Sequence, residues 1–264
     1  MIVGLKGKTL VVTGATQGLG ATIAALAGAS GAAAIAIVGR NAERGEAVSL
    51  KLTRPACPVT FIRADLGETD APAVVMATAI ARLGRVDCLV NAAALTDRAS
   101  LLTGTIEDWD RLFAVNARAP FFLMQAAVMD MKARRAPGSI VNILSVNAHC
   151  GAPELAVYSA TKAALSTLTR NVANAHLGDR IRVNGINMGW VATPAEEQMQ
   201  AHTLGKGEDW VRTAAAGMPL GRLLTMDEVA QLTLFLLSDA SGLMTGTLID
   251  LEQSVLGAPP QGRG

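Results

Sequence analysis

The chain has few aromatic side chains and almost no charge imbalance. Its 264 residues include nine aromatic residues, and the formal net charge is +1 with both signs scattered. A charge so close to zero gives no basic footprint for nucleic acid or for an anionic membrane. Nine aromatic residues also leave few groups to wall a sterol-sized pocket. We therefore expect a small, polar molecule as the partner, with no nucleic acid and no membrane.

Cysteine and histidine are too few and too scattered for a disulfide framework or a metal site. The residues are Cys57, Cys88, Cys150, His149, His176 and His202. The cysteines are odd in number, and neither residue type shows the spacing of metal ligands. We predict that the protein binds no metal, and free thiols favour a reducing cytoplasm.

Long apolar runs, linkers and repeats are missing as well. The N-terminus has no apolar signal segment, and the apolar stretch from Ala21 to Val38 is interrupted by glycine and serine. No proline-rich linker or run of charge divides the chain. We expect one catalytic domain over residues 1–256 and a flexible tail at residues 257–264.

What the sequence does contain is an alternation of apolar strand-like runs with helical stretches. The runs are Thr9–Thr13, Ala33–Val38, Val59–Ile62, Val86–Val90, Ser139–Leu144, Ile181–Asn187 and Thr247–Asp250. The alternation predicts an α/β fold: a Rossmann-like, doubly wound parallel sheet of about seven strands with helices on both faces. Ligands of such a sheet bind at the carboxyl ends of its strands.

A glycine-rich turn follows the first predicted strand. The residues from Gly14 to Gly20 read Gly-Ala-Thr-Gln-Gly-Leu-Gly and open a segment of small residues. Glycines let the backbone approach a pyrophosphate, and the N-terminus of the following helix attracts its charge. The Gly-Lys-Ser/Thr of a phosphate-loop NTPase is absent. Packing alone is the alternative explanation of such a turn.

The chain's single tyrosine belongs to a second candidate motif. Tyr158 stands thirteen residues after Ser145 and four before Lys162. Residues four apart share one face of a helix, so we expect the Lys162 charge to lower the Tyr158 pKa. Tyr158 would then serve as a general acid or base. An isolated Tyr-x-x-x-Lys pattern also arises by coincidence, so the prediction depends on the glycine turn as well.

These two motifs and four further segments, all in matching order, resemble the short-chain dehydrogenase/reductase family over nearly the whole chain. The further segments are Asp65-Leu66, Asn91-Ala92-Ala93-Ala94, Val115-Asn116-Ala117 and the stretch from Arg182 to Gly189. The chain departs from the family pattern at Ala94, Met188 and Leu251-Glu252. The resemblance implies an NAD(P)-dependent oxidoreductase that moves hydride between a nicotinamide cofactor and a small secondary alcohol or ketone.

The resemblance also implies roles for individual residues. The catalytic set would be Asn116, Ser145, Tyr158 and Lys162. In it Tyr158 transfers the proton, Ser145 binds the reacting oxygen and Lys162 binds the nicotinamide ribose, while Asn116 holds a water. The cofactor would contact Gly14, Thr16, Gln17, Gly18, Leu19, Gly20, Arg40, Asp65, Leu66, Asn91, Tyr158, Lys162, Gly189, Val191 and Thr193. The substrate pocket would contain Ser145, Asn147, His149 and Trp190.

The tip of the second predicted strand bears on the choice of cofactor. Gly39 stands where NAD enzymes carry a carboxylate for the ribose, and Arg40 follows it. Repulsion of a 2′-phosphate is absent and a guanidinium is close, so NADP(H) is favoured over NAD(H), which stays the alternative. Arg40 could instead stack on the adenine. Gln17 occupies a turn position where NADP-selective family members often have a second base.

Two further segments carry predictions about closure and assembly. Residues 193–221 follow the sixth strand and contain acidic and amide groups, so we expect a lid over the substrate there. The run from Phe121 to Met129 is apolar all round. It favours a homo-oligomer, either a tetramer or a dimer, over a fully covered core helix.

The expected substrate is a small alcohol or ketone such as a sugar or polyol. A reductase of 3-oxoacyl groups on acyl carrier protein is one alternative, for which Lys132, Arg134 and Arg135 offer a small basic patch. A nucleotide-binding protein without catalysis is the other, and the complete catalytic set argues against it.

Overall fold

The computed structural model describes residues 4–255, and its centre is one parallel sheet. The strands are β1 Thr9–Thr13, β2 Ala34–Gly39, β3 Val59–Arg63, β4 Cys88–Asn91, β5 Gly138–Ser145, β6 Ile181–Met188 and β7 Leu248–Leu251. Their order in the sheet is β3-β2-β1-β4-β5-β6-β7. The predicted doubly wound parallel sheet is confirmed, while the predicted tail at residues 257–264 lies outside the described residues.

Helices cover both faces of the sheet. They are α1 Gly18–Ala29, α2 Ala42–Leu52, α3 Ala71–Leu83, α4 Ile106–Phe113, α5 Ala119–Ala133, α6 Ala156–Ala175, α7 Pro194–Glu197, α8 Trp210–Ala216 and α9 Met226–Leu237. A π-helical turn, Ala114–Arg118, joins α4 to α5. The resulting run Ile106–Ala133 is long and apolar enough to cross a membrane, but 61% of its apolar window is buried inside the protein, as in a core helix.

Alternation of side chains along the strands produces two hydrophobic layers. In β1, Leu10 and Val12 pack on one face with the buried residues of α1 and α9. Val11, between them, packs on the other face with α3, α5 and α6. Because successive strand residues point to opposite faces, a strand buried on both sides is apolar without interruption. This is why the parallel strands could be recognised as continuous apolar runs.

The predicted strands agree with the observed ones to within two residues at each end. The largest difference is at β4, which begins at Cys88 rather than Val86. The Val86 amide donates to the Asp130 carboxylate at 3.1 Å, so a side chain on α5 takes the hydrogen bond that a neighbouring strand would have used. Such a contact between distant residues has no signature in the local sequence.

The crossover between β3 and β4 creates the site. β1 pairs with β2 on one side and with β4 on the other. The chain therefore leaves β1 in one direction and later returns to its other side, which opens a crevice at the carboxyl ends of β1 and β4. The glycine turn follows β1, and Ser145 ends the neighbouring strand β5.

Arg182 of β6 closes the C-terminal end of α9. Its guanidinium donates to the Leu236 carbonyl at 2.8 Å, the Ser238 carbonyl at 2.9 Å and the Ser241 hydroxyl at 2.6 Å. Burial lowers the pKa of Arg182. One side chain thus satisfies carbonyl groups that the end of the helix leaves free.

We expect Arg182→Met to lower the free energy of unfolding by about 2–4 kcal/mol, because it removes the donors of several buried acceptors. Urea unfolding followed by circular dichroism measures the loss. Arg212→Met is the matched control, since Arg212 is exposed and paired with Asp209, and its effect should stay below about 0.5 kcal/mol. Equal losses in the two variants would contradict the closing role of Arg182.

Candidate active site

The turn between β1 and α1 forms the floor of the site. Gly14 has a φ of +67°, and a Cβ there would lie 2.8 Å from the Ala93 backbone, so only glycine fits between the two strand ends. At the start of α1, Gln17 makes no side-chain cap and the first turn has no acidic residue. The first amides of α1 are therefore available to a phosphate. These features fit the pyrophosphate of a dinucleotide.

One cleft runs along the carboxyl ends of the strands from α2 to α6. The predicted cofactor residues that line it are Gly14, Thr16, Gln17, Gly18, Leu19, Gly20, Arg40, Asp65, Leu66, Tyr158, Lys162 and Thr193. Asn91, Gly189 and Val191 are not among the lining residues. The Asn91 amide instead donates to Asn142 at 2.8 Å, and the Val191 side chain is buried.

At the end of the cleft beside α2, a close contact with Thr16 explains why residue 39 is glycine. A Cβ at Gly39 would lie 2.5 Å from the Thr16 side chain, so the Thr16 turn excludes a carboxylate at this position. Arg40 lies 3.7 Å from Asp65, both largely exposed. A second guanidinium is also present: Arg44, in the first turn of α2, donates to the Gln17 side chain and lines the cleft.

The predicted catalytic residues converge at the other end of the cleft. Tyr158 and Lys162 lie on α6, and Ser145 ends β5 beside it, all three buried. The Lys162 ammonium lies 5.7 Å from the centre of the Tyr158 ring. It donates to the Ile143 carbonyl of β5 at 2.8 Å. This bond ties α6 to β5 and holds the ammonium at the cleft.

Asn116 lies in the π-helical turn and is fully buried. Its amide group donates to the Leu95 carbonyl at 2.9 Å and to the Thr161 hydroxyl at 3.1 Å, and its oxygen accepts from the Leu95 amide at 2.8 Å. Thr161 in turn donates to the Tyr158 carbonyl at 2.6 Å. The side chain thus joins the loop after β4 to α6. A role in holding water stays a prediction.

The prediction that the pKa of Tyr158 is lowered is wrong. Burial raises the pKa of Tyr158 to about 12, a hydrogen bond with Ser145 opposes the rise, and smaller effects come from Glu196 and Arg98. Burial also lowers the pKa of Lys162 to about 8. Both side chains are buried, and burial disfavours the charged form of each, which is the largest effect on both pKa values. Tyr158 is therefore a phenol at neutral pH.

None of the four predicted substrate-pocket residues is among those that line the cleft, although Ser145 is buried beside Tyr158. The backbone N–H of Asn147 donates to the Ser145 hydroxyl at 3.2 Å. His149 lies 2.9 Å from the Asp250 carboxylate, at the end of β7. Trp190 packs against Trp210, between β6 and α8, with 6.0 Å between ring centres. Their part in substrate binding stays a prediction.

The unusual Leu251-Glu252 pair has a local structural role. Leu251 extends β7 and pairs with Met188 of β6. The Glu252 carboxylate then folds over Gly189, where a Cβ would lie 2.0 Å from Glu252 Oε2. The absence of a side chain at Gly189 leaves room for the Glu252 carboxylate in this position.

Relatives of known type cover almost the whole chain. A family model described as Enoyl-(Acyl carrier protein) reductase matches residues 14–252. A 3-oxoacyl-[acyl-carrier-protein] reductase of Thermotoga maritima is 34% identical over 94% of this chain and 97% of its own length. L-xylulose reductase of Bos taurus is 33% identical over 96% and 98%. The chain belongs to the short-chain dehydrogenase/reductase family. It is an NAD(P)-dependent oxidoreductase acting on CH–OH or carbonyl groups.

A solved short-chain dehydrogenase/reductase structure agrees with the fold. L-sorbose reductase from Gluconobacter frateurii, in complex with NADPH and L-sorbose, superposes with a TM-score of 0.91 at 26% identity. The match covers 98% of this chain and all of that one. Among residues 4–255, no three His, Cys, Asp or Glu side chains cluster so as to hold a metal ion.

Three charged residues near the site were not predicted from the sequence: Arg44, Arg98 and Glu196. Arg44 could have been found, because Asn41 is a typical N-cap, and its side chain accepts from the Arg44 amide at 2.8 Å. That cap places Arg44 in the first turn of α2, near the tip of β2. Arg98 and Glu196, whose charges affect the pKa of Tyr158, lie in the loop between β4 and α4 and in residues 193–221. Neither segment has the periodic apolar pattern of a helix or a strand. No local pattern indicates them.

The two pKa shifts predict the pH profile of carbonyl reduction. Tyr158, with a pKa of about 12, keeps its proton over the whole working range, while Lys162 loses its charge as the pH rises through about 8. We expect kcat/KM for reduction to be constant below pH 7 and to fall above pH ~8, since this ratio reports ionisations of the free enzyme. Lys162→Arg keeps the charge and should abolish the fall. A flat profile of the parent up to pH ~10 would contradict the assignment.

Proposed function

We propose that the protein is an NADP(H)-preferring reductase of small polar ketones, such as keto sugars, to the corresponding alcohols. One observation carries the proposal: Tyr158 and Lys162 line one end of a cleft, with buried Ser145 hydrogen-bonded to Tyr158, and the other end of the cleft has two guanidinium groups. The first end suits proton transfer to a carbonyl oxygen, and the second suits a phosphorylated ribose.

The residues of the site divide the reaction between them. A bound nicotinamide cofactor supplies the hydride that the carbonyl carbon receives. Tyr158 donates its proton to the carbonyl oxygen, which is the role of a phenol that stays protonated at neutral pH. The Ser145 hydroxyl binds the same oxygen, and Lys162, held by the Ile143 carbonyl, would hold the cofactor ribose. Oxidation of an alcohol reverses each step.

The preference for NADP(H) follows from the adenosine end. Arg40 and Arg44 both line the cleft beside Gly39, where no carboxylate is present to repel a 2′-phosphate. Both arginines are exposed, but the Arg44 guanidinium donates to the Gln17 side chain, whereas Arg40 lies 3.7 Å from Asp65, too far for a hydrogen bond. A guanidinium already held by a hydrogen bond loses less conformational freedom on binding, so Arg44 should contribute more of the preference.

We expect Arg44→Gln to lower the ratio of kcat/KM for NADPH over NADH by about 10–100-fold, the effect of losing one charge-assisted hydrogen bond. Arg40→Gln should lower the ratio less. Initial rates with both cofactors measure the ratio. Arg212→Gln, on the exposed surface, is the control for loss of one positive charge. A parent enzyme that prefers NADH tenfold would contradict the phosphate-binding role of this end.

The substrate class is tested by a panel of ketones and alcohols, the ketones offered with reduced cofactor and the alcohols with oxidised cofactor. Keto sugars, polyols, hydroxysteroids and 3-oxoacyl thioesters should be offered with both cofactors, and absorbance of the reduced nicotinamide followed. We expect keto sugars or polyols to give the highest kcat/KM. Tyr158→Phe should bind cofactor as the parent does and lose about 10²–10⁴-fold in turnover, since only the transferable proton is removed. A preference for steroids, or turnover of Tyr158→Phe within a few-fold of the parent, would overturn the proposal.

Acyl carrier protein is a weaker candidate partner. The basic patch lies where α5 ends and β5 begins, at the amino edge of the sheet and opposite the cleft. Its charges are also paired: Lys132 lies 2.5 Å from Asp179, and Arg134 lies 2.9 Å from Asp130.

The assembly and the lid belong to the same proposal. On α5, Phe121 and Phe122 are exposed while Leu123 and Met124 are buried, so the helix is not a fully covered core helix. We propose that this exposed face joins copies of the chain in a homo-oligomer, and that the protein acts in the cytoplasm. Residues 193–221, which contain α7 and α8, would act as the lid of a single catalytic domain.

A further inference from the structure

Arg98 is held beside the candidate proton donor. It lies in the loop between β4 and α4, next to Ala99. The Ala99 amide donates to the Glu154 carbonyl at 2.9 Å, and its carbonyl accepts from the Val157 amide at 3.2 Å. Val157 directly precedes Tyr158 on α6. The backbone therefore fixes Arg98 near Tyr158 whatever its own side chain contacts.

The Arg98 guanidinium makes fewer hydrogen bonds than its burial requires. Nη1 donates to the Thr96 carbonyl at 2.9 Å. Nε is buried and has no hydrogen-bond partner among residues 4–255. Nη2 lies 3.8 Å from Glu196 Oε1, which is an ion-pair distance but too long for a hydrogen bond. A buried donor without an acceptor is unfavourable, and a ligand oxygen would satisfy it.

Glu196 does not depend on Arg98 for its own stability. Its Oε1 accepts from the Trp190 indole at 3.0 Å and from the Gln200 amide at 2.6 Å. Glu196 belongs to α7, in the proposed lid, so the pair with Arg98 connects the lid to the β4–α4 loop. Arg98 could turn toward another anion and leave the Glu196 carboxylate hydrogen-bonded.

Both charges act on Tyr158. Behind the larger effects of burial and Ser145, Glu196 raises the pKa of Tyr158 and Arg98 lowers it. An anion held by Arg98 would therefore lie within electrostatic reach of the group that protonates the carbonyl oxygen. The reacting carbon and the anion would be two parts of one small molecule.

We infer that Arg98 is a specificity-determining residue that binds a carboxylate of the substrate beside Tyr158, so that keto acids, sugar acids included, are preferred over neutral ketones. A planar guanidinium matches the two oxygens of a carboxylate. Because Glu196 is close to Arg98, a singly charged carboxylate meets less repulsion there than a phosphate dianion would. The inference rests on the proposed reduction of small ketones and names its substrate class.

The test compares keto acids with their uncharged amides at saturating NADPH. The pairs are 3-oxobutanoate, 4-oxopentanoate, 4-oxocyclohexanecarboxylate and 5-keto-gluconate, each with its carboxamide, which vary the separation of the carbonyl from the carboxylate. We expect at least one acid to exceed its amide by tenfold or more in kcat/KM, mainly through a lower KM. A charge-assisted bidentate contact supplies an effect of about this size.

Three variants separate the role of Arg98 from general effects. Arg98→Gln should lower kcat/KM for the preferred acid about 10–100-fold more than for its amide. Glu196→Gln keeps an acceptor for the Trp190 indole but removes the competing charge, so it should raise the acid-to-amide ratio several-fold. Arg111→Gln removes a guanidinium from neighbouring α4 that is paired with Asp97 at 3.1 Å, and should leave the ratio unchanged.

Tryptophan fluorescence gives a readout that does not need turnover. Because the Trp190 indole donates to Glu196, a carboxylate that draws Arg98 away from Glu196 should change the emission. Propanoate is the probe and propanamide its control. We expect a saturable change with propanoate in the parent that Arg98→Gln lacks and Arg111→Gln keeps.

The outcomes distinguish this inference from the proposed function. If neutral ketones are reduced and no acid is preferred, or if Arg98→Gln lowers acid and amide rates equally, Arg98 does not bind a carboxylate and the reductase assignment stands. If no ketone is reduced with either cofactor, the proposed function falls. In that case the propanoate titration still decides whether Arg98 binds a carboxylate: saturation that depends on Arg98 supports it, and no difference from propanamide overturns it.

Discussion

The buried ammonium of Lys162 is the contact on which the site depends. Enclosing a charge is unfavourable, and the fall of the Lys162 pKa to about 8 reflects that cost. The 2.8 Å bond to the Ile143 carbonyl offsets part of it and joins α6 to β5. Because Tyr158 is one helical turn before Lys162 and Ser145 ends β5, this one bond sets the distance between the phenol and the hydroxyl.

The loop after β4 is held in place by the buried side chain of Asn116. The Asn116 amide group hydrogen-bonds with the Leu95 backbone and with Thr161, and the π-helical turn that carries Asn116 joins α4 to α5. The same loop is tied at Ala99 to the start of α6. A loop fixed at two points can present a charged side chain at a defined place, as a strand would.

The sequence predicted what depends on local order and missed what depends on distant contacts. Apolar runs located each strand of the described sheet, and the glycine turn and the Tyr-x-x-x-Lys spacing located the floor and one end of the cleft. The direction of the Tyr158 pKa shift was wrong because burial, a property of the whole fold, exceeds the effect of a neighbour on one helix face. Arg98 and Glu196 come within 3.8 Å of each other only in the folded chain, where Trp190 packs against Trp210, so neither segment indicates the pair by itself.

The distribution of charge along the cleft joins these observations. Guanidinium groups at Arg40 and Arg44 stand at one end and the Lys162 ammonium at the other, with uncapped helix amides of α1 between them, while Arg98 lies in the adjoining loop between β4 and α4. Each cationic group lies where a phosphate, a ribose or a substrate anion would be bound. Either a hydroxyl or a carboxylate oxygen could accept from Arg98 Nε, which has no partner among residues 4–255. Only a carboxylate would add an opposite charge, and this charge is the basis of the preference for anionic ketones that we infer.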